Sequence, residues 1–426
     1  MRYVVVGAGP AGVVGAETLR ASDADATLTL VGGEDEPPYS RMAIPYLLEG
    51  NIVASGTYLR RDAEHYGALG IEVLRGRRVT RVEPKAHRVT LDDGRSLDYD
   101  RLLLATGSRP VAPPIPGLGQ EGVSPCWTLA HAREIKSRLA EGSHVVLIGA
   151  GFIGSIILDA LGSQPLTLTV VEADTHMTPR MMNRTGGDMM RRWCGSKGVR
   201  VLTETRVERI ESGGERRFTL RLSNGEALPA DLVVTATGVK AILDYLEGSG
   251  LKTGEGILVN DRLQTSDPDV YAAGDAAQGL DFSTGGFSVH AIQPTASEHG
   301  QIAALNMAGQ NARYAGSLIM NVVALLGLTT YSFGQWMGVA GGQHGEWLDE
   351  EHQRYVRLEF QGDRLVGAIN IGNFEHVGVL RGLIQSRIVL GEWKERLMAE
   401  PAKVMEAYLG LTAYGKQIPR MRLGAG

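Results

Sequence analysis

The chain has 426 residues, of which 43% are hydrophobic and 21% are charged, and its formal net charge is −5. The length predicts about two to three domains, and the composition is that of a globular protein that can bury a core. With 43 basic against 48 acidic side chains, the chain does not have the basic character expected of a general nucleic-acid binder. Two cysteines are too few for a disulfide framework, so we expect a reducing, cytoplasmic compartment.

The apolar segments are too short for a membrane helix, which needs ~18 residues. The best candidate, residues 318–328, is short and contains Asn321. Residues 1–19 could be mistaken for a signal peptide, but four glycines interrupt the apolar stretch and Glu17 lies near its end. We therefore expect a buried strand and turn at the N-terminus and no membrane association.

An internal repeat organises the chain. Residues 3–12 and 145–154 each contain four apolar residues, then Gly-x-Gly-x-x-Gly, then an apolar helical stretch. The apolar run predicts a buried parallel strand, and the glycines permit a tight turn that aims a helix N-terminus at a pyrophosphate. The predicted nucleotide-binding residues are Gly7, Gly9, Pro10, Ala11 and Gly12 in the first copy, and Gly149, Gly151, Phe152, Ile153 and Gly154 in the second.

Each copy also has an acidic residue after its second predicted strand. Glu34 follows Gly12 by 22 residues, and Glu172 follows Gly154 by 18. An acid about 20 residues after the glycine motif is placed to bind ribose hydroxyls. The alternative is that both carboxylates are merely exposed at strand ends. A carboxylate at Glu172 would repel a 2′-phosphate, so NADH is favoured over NADPH.

A second pair of segments repeats as well. Residues 101–108 and 231–238 are apolar runs that end near a glycine, which adds Ala105, Thr106 and Gly107 to the first predicted site and Gly238 to the second. The first copy is longer, and residues 36–50 are the expected irregular insertion, with a role specific to the ligand of that domain. Two dinucleotide sites imply two dinucleotides, and we expect tightly held FAD and exchanging NAD(P)H.

With these motifs the sequence resembles the FAD-dependent pyridine nucleotide-disulfide oxidoreductases. The closest similarity is to rubredoxin and ferredoxin reductases, NADH oxidases and the flavin module of nitrite reductases. The resemblance implies a glutathione-reductase-like α/β fold with two Rossmann-like domains, the NAD domain being inserted in the FAD domain, and a small α+β C-terminal domain. The implied boundaries are 1–110 and 245–312 for FAD, 111–244 for NAD(P) and 313–426 for the C-terminal interface domain.

The resemblance assigns further residues to FAD. The segment 265–275 ends in Gly274 and Asp275, and in the family this aspartate binds the ribityl chain. Pro294 and Thr295 open a predicted helix over 293–307 whose N-terminus points at the flavin pyrimidine ring in the family. A helix N-terminus there stabilises the negative charge left by hydride arrival. Arg41 is expected near the FAD phosphates, because its guanidinium suits a diphosphate.

The chain departs from the disulfide reductases at residues 40–45, which contain no cysteine. A disulfide pathway needs a thiolate beside the flavin, so electrons are expected to pass directly from flavin to acceptor. Cys126 and Cys194 are expected to be inert buried thiols. Ile156 stands where rubredoxin- and ferredoxin-reductase relatives often have a glutamate on the nicotinamide side, and Pro45 lies near the position of a frequent lysine.

The C-terminal region predicts strands over 318–333, 354–360 and 364–371, a hairpin at 361–363, and helices over 377–388 and 392–398. His290, Trp336 and Trp347 are candidates for the acceptor face of the flavin, with core or interface packing as the alternative. The basic tail over 414–422, with Lys416, Arg420 and Arg422, could dock an acidic carrier, with a solvated tail as the alternative.

These features predict an FAD-dependent oxidoreductase that passes electrons from NADH through flavin to a ferredoxin- or rubredoxin-like carrier. No catalytic side chain and no metal are assigned, since the flavin supplies the chemistry. The alternatives are an NADH oxidase or small-molecule reductase, and a flavin-bearing subunit of a larger redox complex. The expected partners are an iron-sulfur carrier protein or a partner subunit, in a homodimer or as part of a complex.

Overall fold

The computed structural model describes residues 1–372 and 377–413. The predicted basic tail with Lys416, Arg420 and Arg422 lies outside these residues. The strands in chain order are β1 (Arg2–Val6), β2 (Thr27–Val31), β3 (Ile71–Leu74), β4 (Val79–Glu83), β5 (Arg88–Leu91), β6 (Ser96–Asp98), β7 (Arg101–Leu104), β8 (Ser108–Pro110), β9 (Val123–Pro125), β10 (His144–Ile148), β11 (Thr167–Val171), β12 (Arg200–Leu202), β13 (Val207–Ser212), β14 (Phe218–Leu222), β15 (Ala227–Ala230), β16 (Leu232–Thr235), β17 (Val239–Ala241), β18 (Ile257–Leu258), β19 (Val270–Ala272), β20 (Ala277–Leu280), β21 (Phe287–Ser288), β22 (Met320–Leu325), β23 (Leu328–Gly334), β24 (Gln343–Asp349), β25 (Arg354–Gln361) and β26 (Arg364–Ile371).

The α-helices in chain order are α1 (Pro10–Ser22), α2 (Ile44–Glu49), α3 (His65–Ala68), α4 (Leu129–Arg138), α5 (Phe152–Gly162), α6 (Arg184–Ser196), α7 (Gln293–Met307), α8 (Val377–Ser386), α9 (Glu392–Ala399) and α10 (Val404–Ala413). Among the described residues, no helix is long and apolar enough to cross a membrane. The same residues hold no cluster of three or more His, Cys, Asp or Glu side chains suited to a metal ion.

The chain divides into two compact units. The first unit contains residues 1–111, 127–134 and 238–317, and the second contains residues 112–126, 135–237 and the described residues from 318 onward. The C-terminal region is thus grouped with the second nucleotide-binding segment. The division into three domains at 110, 244 and 312 stays a prediction.

A parallel sheet with strand order β19-β7-β1-β2-β3 forms the centre of the first unit. β1 pairs in parallel with both β2 and β7. The apolar side chains of β1, β2 and β7 are almost fully buried, as expected when both faces of a parallel sheet are covered. An antiparallel sheet of β4, β5 and β6 follows β3 along the chain.

The second unit repeats this plan. Its parallel sheet has the order β12-β11-β10-β16-β9, with β10 between β11 and β16 as β1 lies between β2 and β7. An antiparallel sheet of β13, β14 and β15 again follows. The sequence repeat is therefore a structural repeat, and the predicted α/β class with two Rossmann-like units is confirmed.

The C-terminal part of the second unit is an antiparallel sheet of order β22-β23-β26-β25-β24, with α8 packed on β26. The predicted strands over 354–360 and 364–371 are present, and α8 and α9 lie within two residues of their predicted ends. The segment predicted as strand over 318–333 is strand in two pieces, β22 and β23. The chain turns back between them at Leu326 and Gly327, which have φ angles of 49° and 89°. β24 and α10 were not predicted.

The insertion over 36–50 is not wholly irregular. It contains α2, which Gly50 ends in the left-handed conformation with φ 85°. Pro45 lies in the first turn, where backbone N–H groups have no partner within the helix, so its missing N–H costs no helical hydrogen bond. Gly50 ends the last turn because glycine adopts the left-handed conformation readily. This explains how a segment rich in proline and tyrosine still forms a short helix.

Candidate functional site

The first glycine loop connects β1 to α1, and two of its glycines are required by close backbone contacts. A Cβ on Gly7 would lie 2.0 Å from the Ala105 carbonyl oxygen, and one on Gly12 would lie 1.8 Å from the Gly7 oxygen. Gly7 also has a φ of 115°, which side chains disfavour. These contacts fix the loop against the end of β7, where Ala105 donates to the Val6 carbonyl oxygen at 2.7 Å.

Gly9 differs from its neighbours, because a Cβ there would meet no atom within 4 Å. Gly9 is the N-cap residue of α1, and no side chain caps this helix. The N–H groups of the first helical turn are therefore without a side-chain cap, and together with the helix dipole they suit an anionic group. This arrangement fits a dinucleotide diphosphate, and Pro10 follows at the first helical position.

The second loop has the same geometry. A Cβ on Gly149 would lie 2.5 Å from the Ala236 carbonyl oxygen, and one on Gly154 would lie 2.2 Å from the Gly149 oxygen. Gly151 is the N-cap residue of α5, and no side chain caps this helix. A Cβ on Gly151 would meet no atom within 4 Å. Phe152 and Ile153 begin α5, so this loop also fits a diphosphate. Gly238, with a φ of 98°, is grouped with the first unit.

Glu172 lies at the end of β11 beside this loop. Its Oε2 accepts a hydrogen bond from the Ala150 N–H at 2.6 Å, and its Oε1 accepts one from the Asp174 N–H at 2.8 Å. These bonds hold the carboxylate beside the glycine loop, and its role in binding ribose stays a prediction.

Removing this charge should relax the choice of nicotinamide cofactor. In Glu172→Gln the side chain keeps an oxygen acceptor but no longer repels a 2′-phosphate, so we expect the NADH-over-NADPH ratio of kcat/KM to fall about tenfold. Steady-state rates with both cofactors measure this ratio, and Glu204→Gln is the control at an exposed position of the same unit. An unchanged ratio in Glu172→Gln would show that the carboxylate does not face the ribose.

Glu34 and Arg41 lie together in the first unit, but they are paired with each other. Nη2 of Arg41 donates to Oε1 of Glu34 at 2.8 Å, and the Tyr39 hydroxyl donates to Oε2 at 2.7 Å. The ion pair is partly exposed, so both side chains retain accessible polar atoms for a ligand. Tyr39 was not predicted, because its contact with Glu34 depends on how residues 36–50 fold.

Asp275 follows β19, close to the third predicted FAD segment. The Ser108 hydroxyl donates to its Oδ2 at 2.6 Å. Burial raises the pKa of the Asp275 carboxyl, while the Ser108 hydrogen bond opposes this effect. A partly desolvated carboxylate is stabilised by further donors, so Asp275 fits the hydroxyls of a ribityl chain. Thr106 and Gly107 precede Ser108, and Thr106 Oγ1 lies 3.1 Å from the Tyr245 hydroxyl oxygen.

α7 runs over the predicted residues, with Pro294 in its first turn and no side-chain cap at its N-terminus. Thr295 is buried, and its hydroxyl lies 2.7 Å from the Ser317 Oγ. The Thr295 side chain is therefore used within the protein, while the backbone N–H groups of the first turn remain for a ligand. An open groove of about 450 Å³ lies at this end of the helix, lined in part by Ser40, Met42 and Gln293.

His299 is a residue of α7 that sequence reasoning missed. Its Nδ1 accepts a hydrogen bond from the Gly274 N–H at 3.3 Å, and its ring meets the edge of Tyr314 with a centroid distance of 4.5 Å. Burial lowers the pKa of His299 to about 3. The neutral ring therefore links α7 to the Gly274–Asp275 turn, and no sequence motif signals this contact.

The stability of the protein should depend on pH through His299. A histidine has a pKa near ~6.5 in the unfolded chain, so unfolding takes up a proton between that pH and about 3. The free energy of unfolding therefore falls as the pH drops below ~6.5, by about 2 kcal/mol from this group at pH ~5. His299→Gln removes the titrating ring and should reduce this loss. Urea unfolding at pH ~6.5 and pH ~5 measures the loss of unfolding free energy in both proteins. Equal losses in wild type and His299→Gln would show that His299 does not cause the pH dependence.

The remaining candidates are the two cysteines, His290 and two tryptophans. Cys126 and Cys194 are buried, and burial raises the pKa of each thiol to about 12. His290 is buried with a ring nitrogen 2.9 Å from Ser288 Oγ, and burial lowers its pKa. Trp336 is buried and Trp347 is partly buried in the second unit, which favours packing for Trp336.

The sequence profile described as pyridine nucleotide-disulphide oxidoreductase matches residues 1–304. The chain belongs to this family. The predicted resemblance, the oxidoreductase class and the use of FAD and NAD(H) are therefore confirmed at the level of the family.

Individual relatives extend the similarity beyond residue 304. NADH-dependent phenylglyoxylate dehydrogenase subunit epsilon of Aromatoleum evansii is 32% identical over 408 residues, which are 95% of this chain and 96% of that protein. NADH oxidase of Methanocaldococcus jannaschii is 30% identical over 322 residues, which are 74% of this chain and 71% of that protein. A chain in the crystal structure of the covalent putidaredoxin reductase–putidaredoxin complex is similar in structure, with a TM-score of 0.88 and 26% identity. The match covers 96% of the present chain and 98% of that chain.

Proposed function

We propose that the protein is an FAD-dependent NADH:acceptor oxidoreductase that delivers electrons to an iron-sulfur carrier protein. The main support is that each unit has a glycine loop followed by a helix without a side-chain cap, with open space at its N-cap glycine. In addition, the segment over 40–45 has no cysteine. Two dinucleotides therefore fit one chain, and no thiol lies in the sequence position that disulfide reductases use. The named function of the reductase in the putidaredoxin complex supports the choice of acceptor.

We assign one nucleotide to each unit, FAD to the first and NADH to the second. In the first unit, the loop at Gly9 would hold the FAD diphosphate with Arg41, and Asp275 would bind the ribityl chain. Bound FAD supplies hydride acceptance and electron release in single steps. In the second unit, the loop at Gly151 would hold NADH, and Glu172 would select against a 2′-phosphate. The N-terminus of α7 would stabilise negative charge at the flavin pyrimidine ring.

The two cysteines should be dispensable for electron transfer. Both thiols have a pKa near 12 because they are buried, so neither supplies a thiolate at neutral pH. The double variant Cys126→Ala/Cys194→Ala should keep NADH-dependent flavin reduction within about twofold of wild type, at a stability cost of roughly 1 kcal/mol for each small cavity. Stopped-flow absorbance measures the rate. A hundredfold slower reduction with unchanged FAD content would mean that a thiol takes part.

The acceptor can be tested with the intact protein. Rates of NADH oxidation are compared with a [2Fe–2S] ferredoxin, a rubredoxin, a quinone and air as acceptors. The proposal predicts that an iron-sulfur protein raises the rate far above that in air. Equal oxygen consumption with and without carrier protein would instead favour an NADH oxidase.

A second candidate is a flavin-bearing subunit of a larger redox complex. It is favoured by the relative from Aromatoleum evansii, which is named as a subunit and matches over 96% of its length. Native mass measurement of the protein purified from its own cells tests it. A stable assembly with other chains would support the subunit role, whereas a homodimer alone would favour the free reductase in the cytoplasm.

A further inference from the structure

Three residues that the sequence assigns to FAD are joined in the first unit by a residue that it does not assign. Glu34, Arg41 and Asp275 are far apart along the chain. Trp127, just after β9, contacts Arg41 directly and reaches Asp275 through Ser108. The two sides of this connection use different parts of the tryptophan.

The first side of the connection is Arg41. Its guanidinium carbon lies 5.1 Å from the centroid of the Trp127 ring, and its Nη1 donates to the Trp127 carbonyl oxygen at 3.1 Å. Its Nη2 donates to Glu34 at 2.8 Å. A guanidinium placed over an aromatic ring can still donate its N–H groups to other partners. Trp127 and Glu34 therefore hold the Arg41 guanidinium in place, and its other N–H groups would serve a diphosphate.

The second side is the indole N–H. Nε1 of Trp127 donates to the Ser108 carbonyl oxygen at 2.9 Å, and the Ser108 hydroxyl donates to Oδ2 of Asp275 at 2.6 Å. The indole thus holds the backbone of the residue that orients the carboxylate. This hydrogen bond holds the carboxylate of Asp275 in one orientation, and we expect that orientation to serve a ligand.

We propose that Trp127 is a positioning residue for bound FAD, whose ring orients Arg41 and whose N–H holds the Ser108–Asp275 pair. This proposal rests on the proposed function, because it takes FAD to be the nucleotide of the first unit. Trp127 acts through its neighbours and need not touch the cofactor. Its loss should therefore weaken FAD binding more than it weakens the fold.

The test measures the FAD dissociation constant of the apoprotein together with its melting temperature. Trp127→Leu removes both the ring and the donor, and we expect about 20-fold weaker FAD binding. Trp127→Phe keeps a ring for Arg41 and loses only the indole donor, so we expect about fivefold weaker binding. The phenylalanine variant also serves if the leucine variant does not fold.

Trp193 of the second unit provides a matched control. Its Nε1 donates to the Leu325 carbonyl oxygen at 2.9 Å, and the Lys197 ammonium lies 4.4 Å from its ring centroid. The same two kinds of contact are therefore present at a site that we do not assign to FAD. Trp193→Leu should lower the melting temperature and leave the FAD dissociation constant within about twofold of wild type.

A double variant separates positioning from general packing. If the ring of Trp127 acts through Arg41, Trp127→Leu should weaken FAD binding about fivefold in an Arg41→Leu background, the loss due to the indole donor alone, instead of about 20-fold. Full additivity, or equal FAD loss in Trp193→Leu, would overturn the proposal. So would Trp127→Leu with wild-type FAD affinity. Failure of the wild-type apoprotein to bind FAD would instead contradict the proposed function itself.

Discussion

Replacing Gly9 by valine should weaken FAD binding at least about 100-fold, which corresponds to ~3 kcal/mol. A Cβ at Gly9 meets no protein atom within 4 Å, and its φ of −83° and ψ of −175° suit a β-branched residue. The substitution should therefore leave the apoprotein folded while it fills the space in front of the uncapped α1 helix. FAD content after purification and titration of the apoprotein measure the effect.

The matched variant is Gly151→Val in the second loop, where a Cβ also meets nothing within 4 Å. This variant should keep its FAD and lose NADH, so that the KM for NADH rises by about 100-fold or reduction is no longer observed. Together the two variants assign one nucleotide to each unit. Loss of FAD in Gly151→Val, with retention in Gly9→Val, would reverse the assignment.

Replacing Gly300 by alanine should destabilise the protein by about 3 kcal/mol or more. α1 and α7 pack closely, and a Cβ on Gly300 would lie 2.1 Å from the Ala11 carbonyl oxygen. Backbone atoms cannot move aside as a flexible side chain can, so the two helices must separate. Since both helix N-termini are assigned to FAD, the affinity for FAD should fall as well.

The control for Gly300 is Gly382 of α8, where a Cβ would meet no atom within 4 Å. Gly382→Ala should raise the free energy of unfolding by about 0.5–1 kcal/mol, because alanine loses less backbone entropy in a helix. Urea unfolding of both variants measures these opposite changes. A Gly300→Ala protein as stable as wild type would mean that the helices are not held at this distance.

The parts of the site that sequence predicted best are those governed by local backbone geometry. Gly7 and Gly12 are required by contacts within one strand–turn–helix, so the motif carries its own structure. The bounds of α7 follow from a proline at the first turn and a continuous helical stretch. The same reasoning predicts that Glu34 and Glu172 follow the second strand of each unit, as the structure has them, because these positions depend only on the length of one βαβ unit.

The parts that sequence could not predict depend on contacts between distant segments. The pairing of Glu34 with Arg41 and the stacking of Trp127 on Arg41 need the folded position of the 36–50 insertion. β24 was missed because Gly345 lowers its strand propensity, yet a Cβ at Gly345 would lie 2.7 Å from the Cα of Met398. The glycine is there for the close approach of α9, which a single sequence does not reveal.

An anaerobic titration of the FAD-loaded protein with NADH, followed at the flavin absorbance band, tests the proposed electron path most directly. We expect about one equivalent of NADH to bleach the flavin in wild type and in Cys126→Ala/Cys194→Ala alike. Bleaching should be lost in Gly151→Val, although that variant keeps its FAD. A wild-type protein that holds FAD but is not bleached by NADH, alone or with its partner chains, would contradict the proposed function.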